Sequence, residues 1–169
     1  MEVFEAIRNR RSIRRYKSTP VPREHIIRCL EAARWAPSAR NSQPWEFIVV
    51  TKEDVRRKLA EVHMWGRHMA EAPVTVIFLA DPEKSPRYWM NDLGACIMNF
   101  MLEAFDLGLG TCWIGVCGSP FEEEFKKILG VPERLRVVAA VTLGYPDESP
   151  SKSRRSLEEL TSWECYGCK

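Results

Sequence analysis

Residues 88–107 read YWMNDLGACIMNFMLEAFDL, the longest stretch of the chain with one strong periodicity. Leu93, Ile97 and Ala104 belong to a set of apolar residues that recur every three or four positions, which predicts a long helix. Its apolar face is wider than the stripe of an ordinary surface helix. We therefore expect this helix to lie at the centre of the fold or in an interface between subunits.

Apolar segments on both sides of this helix predict one sheet. Residues 73–80 precede it, and residues 111–116 follow a Gly108-Leu109-Gly110 turn that is typical of a helix end. Two further buried strands are predicted at 45–51 and 135–143. Shorter helices are predicted near the N-terminus and at 23–36, 53–62 and 120–129. This alternation indicates an α+β or α/β class with one sheet.

Length and composition limit the remaining possibilities. The 169 residues, 45% of them hydrophobic, suit one domain over residues 1–169 with a real core, which excludes wholesale disorder. The longest apolar runs are far shorter than the ~20 residues that a bilayer requires. The N-terminus lacks the apolar region of a secretory signal. We expect no membrane partner and a cytoplasmic location.

The positive charge is concentrated in one segment. Residues 8–17 (RNRRSIRRYK) hold six basic residues and no acid, although the whole chain carries only +2. Such a focus favours a compact anion such as phosphate. A nucleic-acid partner is not expected, because the segment has one tyrosine and no further aromatic residues between its charges.

Side chains that could act as acids, bases or nucleophiles are scarce. The three histidines form no HExxH pattern, and there is no GxSxG elbow, no P-loop and no GxGxxG after a strand. We therefore predict no catalytic side chain and no metal site. A good core with an anion-binding segment and no acid–base set suggests that a cofactor performs the chemistry.

Three segments are candidates for holding that cofactor. Arg10, Ser12 and Arg14 alternate along the chain, so their guanidinium groups and hydroxyl could face one phosphate; a solvated basic surface is the alternative. Residues 37–45 (PSARNSQPW) offer polar groups that could read the edge of a heterocycle, or form an ordinary turn. Lys152-Ser153-Arg154-Arg155 could complete the phosphate site, or be a hydrophilic tail.

Taken in order, these segments resemble the FMN-dependent nitroreductase family. Its R-R-S-x-R motif is matched by residues 10–14, its P-S-x-x-N-x-Q-P-W-x-F motif by 37–47, its D-x-G-A helix start by 92–95, and its K-x-R motif by 152–154. Four motifs in the right order are specific. The similarity extends from Met1 to about Leu160.

The resemblance implies a fold and an assembly. The fold is a nitroreductase-like α+β domain, with a central mixed sheet flanked by helices. Two subunits form a homodimer with FMN at their interface. The C-terminal extension, residues 146–169, crosses to pack on the partner subunit, which would explain its weak patterning.

The resemblance also implies the cofactor-binding residues. Residues of the basic cluster and the K-x-R motif would hold the phosphate and ribityl chain, the 37–39 segment would pack on the partner's flavin, and residues 113–115 would lie along the ring with a backbone N–H near flavin N5. His68 lies near the position of a basic residue beside the flavin in some members. The expected cofactor-binding residues are Arg10, Arg11, Ser12, Arg14, Pro37, Ser38, Ala39, Asn41, Gln43, Trp113, Ile114, Gly115, Lys152 and Arg154.

The implied activity is a ping-pong oxidoreductase reaction. NAD(P)H would reduce FMN, which would pass two electrons to a nitroaromatic, a quinone or a related small acceptor. Alternatives on the same fold are a flavin reductase, a dehalogenase or desaturase of one metabolite, and a flavin-binding module without turnover. Only about 30 residues separate residue 80 from residue 111, so the lid of larger members is not expected.

Cys165-Tyr166-Gly167-Cys168 is a CxxC pair beyond the resemblance. It could form a disulfide or stay as inert thiols. Two such tails could also make a four-thiolate metal site in a dimer. A dithiol that takes part in electron transfer is the third interpretation.

Overall fold

A four-stranded sheet forms the centre of the computed structural model, which describes residues 2–168. The strands are β1 (Trp45–Val50), β2 (Val74–Ala80), β3 (Gly110–Gly115) and β4 (Arg136–Gly144). Their order across the sheet is β1-β2-β4-β3, and all three pairings are antiparallel. The expectation of a mixed sheet is corrected here, since parallel pairing within the described residues is confined to one bridge between Ser12 and Thr111.

Residues 2–168 form six α-helices, of which the last lies in the exposed C-terminal extension. They are α1 (Val3–Asn9), α2 (Arg23–Arg34), α3 (Glu53–Val62), α4 (Trp89–Asp106), α5 (Glu122–Leu129) and α6 (Leu157–Leu160). Short 3₁₀ turns occupy Ala39–Asn41 and Arg67–Met69. The predicted helices and strands are confirmed to within a few residues at their ends. Met1 and Lys169, the ends of the predicted domain, lie outside the described part.

The sheet separates two apolar layers, because successive residues of a strand point to opposite faces. On one face, Phe100 of α4 meets the Phe78 ring edge-on at 5.4 Å, and α2 packs on α4 in the same apolar cluster. On the other face, α3 and α5 pack together in an apolar cluster that includes Ile77. Strand β2 is buried along its whole length, and burying each large apolar side chain contributes roughly 1.5–3 kcal/mol. The central position expected for residues 88–107 is confirmed.

The basic segment is held against one end of the sheet. The Ile13 amide donates to the Thr111 carbonyl at 2.9 Å, and the Lys17 amide donates to Tyr145 at 2.9 Å. The Tyr16 hydroxyl bonds the Ile13 carbonyl at 2.5 Å. These contacts fix the backbone of residues 12–17 beside the start of β3 and the end of β4.

The C-terminal extension leaves β4 after the Pro146 bridge to Tyr16 and is largely exposed. Ser156 caps the short helix α6 with a reciprocal capping box to Glu159. Cys165 and Cys168 form a disulfide with 5.5 Å between their Cα atoms, as in the first of the three interpretations of the CxxC pair. No helix within residues 2–168 is long and apolar enough to span a membrane.

Candidate functional site

Two distant segments of the chain meet in one cationic cavity of about 170 Å³. Residues 10–14 supply one wall and residues 150–154 supply the other. The lining residues are Arg10, Arg11, Ser12, Arg14, Pro150, Lys152 and Arg154. The structure thus brings together all six residues that were predicted from the R-R-S-x-R and K-x-R motifs.

The carboxylate of Glu148 fixes the backbone of this basic segment. Its Oε1 accepts hydrogen bonds from the amides of Arg14 at 2.5 Å and Arg15 at 3.2 Å. The Arg14 amide, followed by the other donors, lowers the pKa of Glu148. Arg15 donates in addition to the Asp147 carbonyl at 2.9 Å. The carboxylate anchors the backbone while Arg14 keeps its side chain at the cavity, a role of Glu148 that no sequence motif indicated.

The cations of the cavity are poorly neutralised by the protein. Burial, together with the neighbouring charges of Arg11 and Arg154, lowers the pKa of Arg10. Arg10 Nη1 and Arg11 Nε are buried and have no hydrogen-bond partner among the described residues. Unpaired buried donors are costly, and guanidinium groups pair strongly with phosphate oxygens. The donor set therefore fits an anion with several oxygens.

The 37–44 loop has a strained backbone that Asp92 holds in place. Arg40 and Asn41 both have φ of 55° and Gln43 has 46°, values that L-residues rarely adopt and that occur often at functional sites. The buried Asp92 accepts from the Ala39 amide at 3.1 Å, and Ser38 Oγ accepts from the Gln43 amide at 3.0 Å. Asp92, the first residue of the D-x-G-A motif, therefore holds this loop in place.

The loop and the basic cavity are separate within one chain. None of the predicted loop residues lines the cationic cavity. Ala39 instead lines a second cavity of about 450 Å³. The predicted loop residues that the structure leaves apart from the basic cluster are Pro37, Ser38, Ala39, Asn41 and Gln43.

The end of β3, residues 113–115, was predicted to bind the flavin ring. It is partly exposed, and a histidine holds its backbone in place. Trp113 is 37% exposed, Ile114 points into the core and Gly115 is exposed. His63 Nε2 lies 2.9 Å from the Gly115 carbonyl oxygen. A carbonyl only accepts, so Nε2 carries the proton. The imidazole also packs on the Phe121 ring at 4.6 Å. Nothing in the sequence indicated this positioning contact.

His68 is a second buried histidine close to the basic cluster. Its Nε2 has no partner among the described residues. Burial lowers the pKa of His68 to about 4, and the charges of Arg14 and His63 act in the same direction. The imidazole is therefore neutral at pH 7. Because the ring carries no charge, it does not compete with the neighbouring Arg14 guanidinium for a bound anion.

Comparisons with known proteins give one consistent result. A family model described as "Nitroreductase family" matches residues 7–66 and 62–145. A protein of Methanothermobacter thermautotrophicus, provisionally named an NADH dehydrogenase/NAD(P)H nitroreductase, is 41% identical over 155 residues, which are 89% of this chain and 80% of that protein.

Solved structures share the fold over nearly the whole chain. An FMN-dependent nitroreductase of Clostridium difficile R20291 superposes with a TM-score of 0.87 at 29% identity, covering 96% of this chain and 99% of the other. A provisionally named nitroreductase of Desulfovibrio desulfuricans, in complex with FMN, gives 0.85 at 34% identity and covers 98% of both chains.

Proposed function

Because the chain belongs to the nitroreductase family, we propose that it passes two electrons from NAD(P)H to a nitroaromatic, a quinone or a related acceptor by a ping-pong mechanism. As a member of this family it is an NAD(P)H-dependent flavin oxidoreductase whose cofactor is FMN. We place it in the cytoplasm, where reduced nicotinamide nucleotides are available.

The convergence of two distant cationic segments on one cavity carries this proposal. The buried Arg10 Nη1 lacks a partner, and Arg11 and Arg154 add like charge. A phosphate monoester supplies several acceptor oxygens and offsets that repulsion. The residues present therefore fit the FMN phosphate. We assign its phosphate and ribityl chain to Arg10, Arg11, Ser12, Arg14, Lys152 and Arg154.

We assign the flavin ring to residues 113–115, including the backbone N–H near Gly115. When bound, FMN supplies the two-electron chemistry by accepting a hydride from NAD(P)H and giving it up to the acceptor. The protein's own residues bind and orient. His63 holds the Gly115 peptide through its carbonyl group, and cations close to a bound flavin would favour its reduced, anionic form. No side chain is assigned as an acid or base.

We propose a homodimer in which the 37–44 loop serves the partner's flavin. The loop does not line the basic cavity of its own chain, so one subunit supplies only part of the proposed contacts. Large apolar side chains are exposed on α1, where Phe4 is 70% exposed, and in the extension, where Leu157 is 78% exposed. Such side chains are typical of a surface that another subunit covers. The extension after Pro146 would pack there.

The connection between β2 and α4 favours a broad choice of acceptors. It spans only residues 81–88, so no long segment is present there to enclose one particular metabolite. An open site suits flat acceptors of different shapes. A flavin reductase shares this expectation, whereas a dehalogenase or desaturase of a single metabolite needs more enclosure.

An absorption spectrum under anaerobic conditions tests the proposal. We expect twin flavin bands between ~300 and ~550 nm that bleach with NADH or NADPH and return when a quinone or nitroaromatic is added. Bands that persist after both nucleotides would indicate a flavin-binding module without turnover. A colourless protein that does not bind added FMN would refute the cofactor assignment. If free flavin is a better acceptor than a quinone or a nitroaromatic, the protein is a flavin reductase.

A further inference from the structure

A second cationic cavity lies beside the 37–44 loop and has no role in the function proposed above. Its volume is about 450 Å³. Arg40 comes from the loop, whereas Lys84 and Arg87 come from the connection between β2 and α4. The lining residues are Ala39, Arg40, Lys84, Ser85, Pro86, Arg87 and Tyr88.

The positive charge of this cavity is not compensated. Its three cations form no ion pair within residues 2–168, and no acidic residue is among those that line it. Glu83, next to Lys84 in the chain, is exposed and is not among the lining residues, and two further carboxylates nearby are engaged elsewhere. Asp81 accepts from Arg134 at 2.7 Å, and Asp92 accepts from Ala39 and Ser85. A concave surface with charge of one sign raises the local concentration of oppositely charged ligands.

Asp92 holds both walls of the cavity in a fixed relation. Its Oδ1 accepts from the Ala39 amide at 3.1 Å on the loop side. Its Oδ2 accepts from Ser85 Oγ at 2.7 Å on the side of the β2–α4 connection. One buried carboxylate therefore links the backbone next to Arg40 with the turn that carries Lys84. A site that is formed in advance loses less entropy when a ligand binds.

We propose that this cavity binds the 2′-phosphate of NADPH, with Lys84 and Arg87 as its charge partners. The inference rests on the proposed function, because it concerns the electron donor of the same site. Several cations suit a phosphate monoester, which carries up to two negative charges. The ring of Tyr88, 53% exposed, offers a flat apolar surface for the adjoining adenine. Ala39 belongs both to this cavity and to the segment assigned to the partner's flavin, so in the proposed dimer the cavity adjoins the active site of the partner subunit.

The test is the preference between NADPH and NADH in the FMN-loaded protein. We expect kcat/KM for flavin reduction to favour NADPH at least roughly tenfold, and Lys84→Ala with Arg87→Ala to reduce the ratio by roughly tenfold or more. Arg23→Ala with Lys58→Ala removes the same charge from exposed positions outside the cavity and should keep the ratio. Arg40 is left intact because it belongs to the flavin-contacting loop.

A binding measurement separates this inference from the proposed function. By calorimetry, the protein should bind adenosine 2′-phosphate more tightly than adenosine, and the Lys84/Arg87 double variant should lose that difference. If neither nucleotide bleaches the flavin, the oxidoreductase proposal fails, while the calorimetry still decides the cavity. The inference is overturned if the wild type shows no preference for NADPH or if the double variant retains it. An effect of the double variant only on the KM of an anionic acceptor would also overturn it.

Discussion

At the level of single residues, the buried and unpartnered Arg10 Nη1 is the strongest sign that the chain needs an anion. Arg14 and Arg154 face the same cavity from opposite walls. We expect Arg14→Ala with Arg154→Ala to give a folded protein that loses FMN during purification, because two charge-assisted contacts disappear, each contributing roughly 1.5–3 kcal/mol. The ratio of flavin absorbance to protein absorbance measures this loss.

A matched pair of substitutions controls for the change in total charge. Arg23→Ala with Arg57→Ala removes two exposed arginines that do not line the cavity. This variant should retain its flavin. If the Arg14/Arg154 variant also keeps its full complement of flavin, the assignment of the cavity to the FMN phosphate is wrong.

The neutral state of His68 makes the stability of the flavin-free protein depend on pH. Burial lowers the folded-state pKa from the ordinary 6.5 to about 4, so the unfolded chain binds the proton more readily. The neutral imidazole makes its full contribution to the free energy of unfolding above about pH 6.5. This contribution is lost as the pH falls towards 4 and changes no further below that. The loss amounts to at most about 3 kcal/mol. Urea unfolding at pH 7 and pH 5 measures it.

Carboxylates also titrate in this range, so the informative comparison is with His68→Gln. This variant lacks the titrating imidazole, and its free energy of unfolding should fall less between pH 7 and pH 5 than that of the wild type. Parallel curves for the two proteins would refute the buried neutral histidine.

At the level of secondary-structure elements, the docking of the basic segment on β3 depends on a glycine. A Cβ at Gly110 would lie 2.7 Å from Ile13 Cγ1 and 2.9 Å from Ile13 Cβ, too close for either residue to keep its position. Gly110→Ala should therefore destabilise the fold by about 1–3 kcal/mol. It should also weaken FMN retention, because Ile13 lies between Ser12 and Arg14. Thermal unfolding and flavin content measure the two effects.

Gly115→Ala on the same strand is the control for stability. An added Cβ there has no atom within 4 Å, so the unfolding midpoint should stay close to that of the wild type. Since Gly115 is assigned to the flavin ring, this variant can still change the rate of reduction. Equal unfolding midpoints for both glycine variants would contradict the close contact between Ile13 and β3.

At the level of the whole molecule, the exposed apolar residues of the extension bear on the proposed dimer. We expect the wild type to sediment at twice the 19.5 kDa chain mass. Leu157→Asp with Leu160→Asp should shift it to the monomer, since charge placed in an apolar interface loses solvation without gaining a partner. Flavin content should fall with it, because the partner's loop contributes to the site.

Val49→Asp is the control, since Val49 is exposed on the edge strand β1, away from the extension. This variant should remain dimeric. A monomeric wild type that binds FMN fully would overturn the proposed shared site. A Leu157/Leu160 variant that stays dimeric would show that the extension is not part of the interface.

The sequence by itself determined the element types, the central helix, the basic segment and, through four ordered motifs, the family. These signals are local: the 3.6-residue period of α4, the apolar run of β2 and the contiguous charges of residues 8–17 each lie within one short stretch. Local patterns do not give strand order or direction, so the residues alone predicted only one sheet; the mixed sheet came from the resemblance, and the named strands of one chain are antiparallel.

Only the tertiary structure decided which distant groups meet. Pairing of Tyr16 with Pro146 brings Lys152 and Arg154 to the basic segment. The residues alone left open whether these cations complete the phosphate site or belong to a hydrophilic tail. The Asp92 clamp and the contact of His63 with Gly115 likewise join groups that are about 50 residues apart in the chain. Such contacts arise from the order and spacing of strands and helices, which no residue pattern within a single segment encodes.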